Sequence, residues 1–127
     1  MKLRIKGNSI RLRVGRSEVE TLGRMGHVED GIAFGLIPAE TLRYRLQSSD
    51  RDEIHAIFDN GCITVHVPHT IVSEWVGSDE VGLKGSQEVE DGDELKILIE
   101  KDFECLNREG ERDESDNFPN PKSTAAC

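Results

Sequence analysis

Apolar and charged positions alternate through residues 2–6 and again through residues 10–14, with Gly7-Asn8 between the two runs. Strict alternation marks a strand with one buried face, and a two-residue Gly-Asn joint is a hairpin signal with both residues expected at positive φ. Ser17-Glu18-Val19-Glu20 reads as a capping box that opens a short helix. Val19 and Leu22 form its apolar face, and Gly23 and Gly26 help to end it. Residues 28–36 are the next expected strand, with Ile32 and Phe34 on one face. Pro38 breaks the pattern, and alternation resumes over residues 41–46.

The same order recurs 53 residues further on. Residues 54–58 and 63–67 alternate around Asn60-Gly61, the strongest short hairpin signal. Pro68-His69-Thr70 leads into a helix with an expected buried stripe of Val72, Trp75 and Val76. Residues 81–89 and 94–99 are strand-like, with an acidic turn between them. Without a gap, Ile10 falls on Ile63, Val14 on Val67, Val19 on Val72, Val28 on Val81 and Leu42 on Leu95. The expected fold class is α+β: a tandem ββαββ duplication with about eight mostly antiparallel strands and two short helices. Whether the strands form a sheet or close into a barrel stays open. One domain is expected over residues 1–103, with repeats at 2–50 and 54–103 and an acidic C-terminal tail at 104–127, partly docked or disordered.

A chain of 127 residues can bury a core without disulfides or metal, and with one Trp, one Tyr and four Phe that core rests on Val, Ile and Leu. No apolar run reaches the length of a membrane helix, and the first residues already alternate, unlike a signal peptide. Cys62, Cys105 and Cys127 form no CxxC or Cys/His cluster, so a reducing cytoplasm is the expected location. The net charge of −9 is uneven: residues 1–50 sum to +3, residues 51–100 to −9 and the remainder to −3. An asymmetry of this kind bears on partners rather than on fold.

A two-residue turn at Gly7-Asn8 sets Lys2 opposite Arg13 and Arg4 opposite Arg11. Lys2, Arg4, Lys6, Arg11 and Arg13 then crowd one face, away from Leu3, Ile5, Ile10, Leu12 and Val14. Opposed like charges destabilise a hairpin by roughly 0.2–1 kcal/mol per pair, so the face calls for carboxylates or an anion. Arg43 and Arg45 would extend the patch if their strand lies nearby. Three sources of negative charge stay open: the chain's own carboxylates, a phosphate-bearing ligand, or an acidic protein segment, including that of a second copy in a dimer. Nucleic acid is disfavoured by the overall acidity and the lack of interleaved aromatics.

In the second hairpin the same rule sets His55 opposite His66 and Asp59 opposite Cys62. Opposed imidazoles can hold a divalent metal if a third ligand such as His69 arrives, although exposed histidines on a strand face are the commoner case. No other cofactor is implied. Catalysis finds little footing: there is no P-loop, no G-x-G-x-x-G, no G-x-S-x-G and no nucleophile–histidine pair. In the tail, Phe103 and Phe118 are the apolar side chains placed to anchor it to the body.

The opening residues 1–13 (MKLRIKGNSIRLR), the segment 100–106 (EKDFECL) and Phe118-Pro119-Asn120-Pro121 resemble a family of small bacterial proteins of unknown function. The resemblance spans nearly the whole chain and implies a bacterial cytosolic protein, but it carries no catalytic residue. Antiparallel barrels lined with basic residues also occur in triphosphate tunnel enzymes, whose E-x-E-x-K signature is missing here. The expected function is therefore a non-enzymatic binding module whose basic hairpin meets an anionic partner or its own tail. The alternative is a barrel-type enzyme or binding protein for a phosphorylated small molecule. Inward-pointing Arg4, Arg11, Arg43 and Arg45 would favour that alternative.

Overall fold

The computed structural model describes residues 1–103 and 118–119. Its strands are β1 (Lys2–Lys6), β2 (Ser9–Val14), β3 (His27–Ala33), β4 (Thr41–Ser49), β5 (His55–Asp59), β6 (Cys62–Pro68), β7 (Gly82–Glu88) and β8 (Glu94–Lys101). Helix α1 (Arg16–Met25) follows β2, and α2 (His69–Val76) follows β6. The strands form two mixed four-stranded sheets and no closed barrel. The first sheet has the order β1-β2-β8-β7 and the second β3-β4-β6-β5.

Each hairpin pairs in parallel with the last strand of the other half. β2 runs beside β8 and β4 beside β6, while the four remaining pairings are antiparallel. The inner faces share one core, built on Leu12, Val14, Leu46, Val65, Val67 and Ile99. Leu22 and Trp75 seal it from the helices. The helices cross closely at Gly23, where a Cβ would lie 2.9 Å from Val76 Cγ1. A larger residue there would force them apart.

Local chemistry departs from expectation in three places. Gly7 has φ +56°, but Asn8 is absent from the positive-φ residues, so only the first turn position is left-handed, as in a II′ turn. The Asn8 side chain instead donates to Glu94 O at 2.9 Å, tying the turn to β8. At Asn60-Gly61 both residues do take positive φ, 53° and 76°. Helix α1 is capped by Gly15 rather than Ser17: the Gly15 N–H donates to Glu18 Oε1 at 2.9 Å, and Ser17 lies inside the first turn. Strand β3 stops at Ala33, so Phe34, Leu36 and Ile37 sit exposed in the connection to β4.

The sheets touch at both pairs of edges. Between β5 and β7, the Gln87 amide accepts from Ala56 N at 2.7 Å and donates to Ala56 O at 2.8 Å. Between β1 and the second sheet, Tyr44 Oη donates to Met1 O at 3.0 Å, and the Met1 amine contacts Glu18 and Asp30. Burial raises the Tyr44 pKa, with Asp30 and Glu18 adding to the effect. The Gly31 N–H, donating to Asp30 Oδ1 at 2.8 Å, is the main cause of a lowered Asp30 pKa.

Candidate anion-binding faces

Both hairpins adopt the expected registers, with Lys2 opposite Arg13, Arg4 opposite Arg11, and His55 opposite His66. Because Leu12 and Val14 are buried, the alternating Arg11 and Arg13 point away from the core on the outer face of the first sheet. Arg43 and Arg45 do not extend this patch. They lie on β4, in the other sheet, on an outer face that points the opposite way.

The parallel pairing with β8 supplies different neighbours. Rows across the first sheet read Lys2–Arg13–Glu100–Gly82, Arg4–Arg11–Leu98–Lys84 and Lys6–Ser9–Lys96–Ser86. Lys84 and Lys96 thus join the five hairpin cations, and sequence reading missed both. Lys96 stands 53 residues after Arg43, so the repeat held a signal for it, but only for a reader who knew that the hairpins exchange partners.

Charge on this face is partly neutralised from within. Glu100 Oε1 lies 3.2 Å from Arg11 Nε and 3.8 Å from Arg13 Nε, and Lys2 Nζ lies 2.9 Å from Asp102. Glu100 Oε1 is buried and accepts no well-aligned hydrogen bond from the described residues, so its link to the two arginines is an ionic contact. Arg4, Lys6, Lys84 and Lys96 are exposed and make no ion pair among the described residues.

The second sheet carries the rows His55–His66–Gln47–His27, Ile57–Thr64–Arg45–Glu29 and Asp59–Cys62–Arg43–Gly31. Arg45 Nε donates to Gln47 Oε1 at 2.9 Å. The His66 pKa is lowered, first by burial and then by Arg51, His55 and Arg45, and its Nδ1 is buried without a hydrogen-bond partner among the described residues. Among the described residues no group of three His, Cys, Asp or Glu is arranged to hold a metal ion. The cations that disfavour an imidazolium would disfavour a bound dication as well.

His69 is not beside the pair. Its Nδ1 lies 2.5 Å from Ser48 Oγ and its Nε2 lies 2.8 Å from Asp50 Oδ1. The absence of any nucleophile–histidine pair, expected from the sequence, is therefore corrected: strand pairing sets Ser48 beside Val67, next to the start of α2. The row is nonetheless poorly built for nucleophilic catalysis. His69 is 57% exposed and Asp50 99%, so water screens the charge that would have to activate the hydroxyl. It serves instead as a clamp between the end of β4 and the start of α2.

Phe103 lines a half-open cleft of about 760 Å³ with Val14, Val19 and Val76. Phe118 is 96% exposed. The remaining tail expectation, for residues 104–117 and 120–127, lies outside the described residues. No helix among the described residues is long and apolar enough to cross a membrane.

Residues 1–122 match the model of a family of unknown function, DUF7009. No curated protein and no solved structure matches the chain.

Proposed function

For a chain that belongs to DUF7009, a family of unknown function, we propose a non-enzymatic binding module whose first sheet takes an acidic protein segment on its outer face. The observation that carries the reading is the set Arg4, Lys6, Lys84 and Lys96, four outward cations on three strands, β1, β7 and β8, with no ion-pair partner among the described residues. Side chains two apart on a strand stand about 7 Å apart, and neighbouring strands about 4.8 Å apart. The cations therefore spread over a flat area rather than converging on one point. A small phosphate compound could not be enclosed there, whereas an extended chain of carboxylates could meet several cations at once. Leu98, half-buried between Arg11 and Lys84, adds an apolar contact at the centre. Nucleic acid fits less well, because no aromatic side chain stands in these rows for a base to stack on.

The test is calorimetric titration with an oligoglutamate peptide, single-stranded DNA and inorganic phosphate. The peptide is expected to bind, more weakly as salt rises, and a combined Arg4→Ser and Lys84→Ser change should abolish binding while leaving the fold intact. Preferential binding of DNA, or equal binding of phosphate alone, overturns the proposal. Repeating the titration after deletion of residues 104–127 asks whether the tail's own carboxylates compete; tighter peptide binding would identify them as the internal occupant.

The same reading treats the two halves as a tandem duplication. What supports it is spacing: β1, β2, α1 and β4 each begin 53 residues before β5, β6, α2 and β8.

A further inference from the structure

The outer rows of the two sheets correspond position by position over three of their four strands, and one difference between them has a chemical consequence. At the 53-residue offset, Lys2 and Arg13 of the first sheet become His55 and His66 of the second, and Gln47 stands where Glu100 stands. In the first sheet the cations are permanent and an internal carboxylate sits among them. In the second the basic groups are titratable, and the matching position offers only a neutral amide, already engaged by Arg45. We propose that the His55–His66 row, flanked by Arg45 and Arg51, is a proton-gated site for a small tetrahedral oxyanion such as a phosphate or sulfate group.

The groups around His66 come from every neighbouring element. His55 stands opposite on β5, Arg45 and Gln47 lie on β4 with His27 beyond Gln47 on β3, and Thr64 is two residues away on β6. Arg51, in the β4–β5 connection, acts on His66 electrostatically. Opposing them, Asp52 and Glu53 share a shallow cleft of about 340 Å³ with Arg51 and His55, and Glu29 stands opposite Arg45 on β3. Neither Arg45 nor Arg51 makes an ion pair with a carboxylate among the described residues. When this row takes up protons, the added positive charge joins two arginines that no described carboxylate pairs with. An oxyanion there would accept from imidazole and guanidinium N–H groups and relieve the repulsion. A divalent metal meets the same field with the wrong sign.

This site is independent of the one on the first sheet, and Arg4→Ser with Lys84→Ser serves as the test background so that binding on the first sheet is weakened. Sulfate is the probe, because its charge does not change between pH 5.5 and 7.5, with sodium chloride at matched ionic strength as the control. Imidazole resonances should report sulfate binding at least tenfold tighter at pH 5.5 than at pH 7.5, with the His66 titration midpoint raised by sulfate. Gln47→Glu, which installs the carboxylate of the first sheet, should raise that midpoint without sulfate and weaken sulfate binding about tenfold. Sulfate affinity that is flat with pH, or unchanged by Gln47→Glu, overturns the site. So does zinc binding at neutral pH that shifts both histidines, which would make the row a metal pair.

Discussion

The outer faces of the two sheets share strand order and pairing, and share register over three of their four strands, yet they handle charge in opposite ways. The first concentrates lysines and arginines around one carboxylate, Glu100, and leaves four cations unmatched by any described carboxylate. The second places two histidines where the first has Lys2 and Arg13, and a neutral Gln47 where it has Glu100. The difference teaches that one scaffold can present a permanently charged surface on one side and a titratable one on the other. Neither face needs a cavity, because the side chains that differ point away from the shared core.

The largest expected effect comes from removing the shared carboxylate. Glu100→Gln leaves Arg11 and Arg13, both mostly buried, without their common partner, and should cost about 2 kcal/mol in urea denaturation. No loss would mean that Glu100 is incidental and that the two faces do not differ in the way described.

A smaller effect is expected in the pH dependence of stability. The His66 pKa is lower in the folded chain than the ordinary value of 6.5, so between the two values the unfolded chain binds more protons. Stability should therefore fall as pH drops below about 6.5 and be fully present above it. His66→Gln should flatten that part of the curve, as followed by thermal denaturation at pH 7.5, 6.5 and 5.5. An unchanged slope would remove His66 as the titrating group.

The smallest effect is also the one of opposite sign. Arg4→Ser removes one member of the opposed Arg4–Arg11 pair and should stabilise the chain by roughly 0.2–1 kcal/mol in low salt. The gain should fade as salt screens the pair. Destabilisation instead would show that Arg4 is held by an attractive contact.

Much of the local structure was legible in the alternation of residue types. The turn signals at Gly7-Asn8 and Asn60-Gly61 imposed both registers, and so set Arg4 against Arg11 and His55 against His66. Val19, Leu22, Val72 and Trp75 were readable as core from helical spacing. The Ser48–His69–Asp50 contact was not readable, because it depends on β4 lying beside β6, and neither that pairing nor its register is written in a local motif.

By itself, then, the sequence determined two hairpins, two short helices and which side chains of each strand share a face, since alternation, turn chemistry and helical spacing act over a few residues. The choice of β8 over β4 as the neighbour of β2 was left to the tertiary structure. Leu42 and Leu95, or Leu46 and Ile99, occupy equivalent places and would satisfy the same apolar pattern. Only burial of a single core shared by both halves discriminates between them. That choice put Lys84, Lys96 and Glu100 on the basic face, and Arg43 and Arg45 on the outer face that carries the histidines.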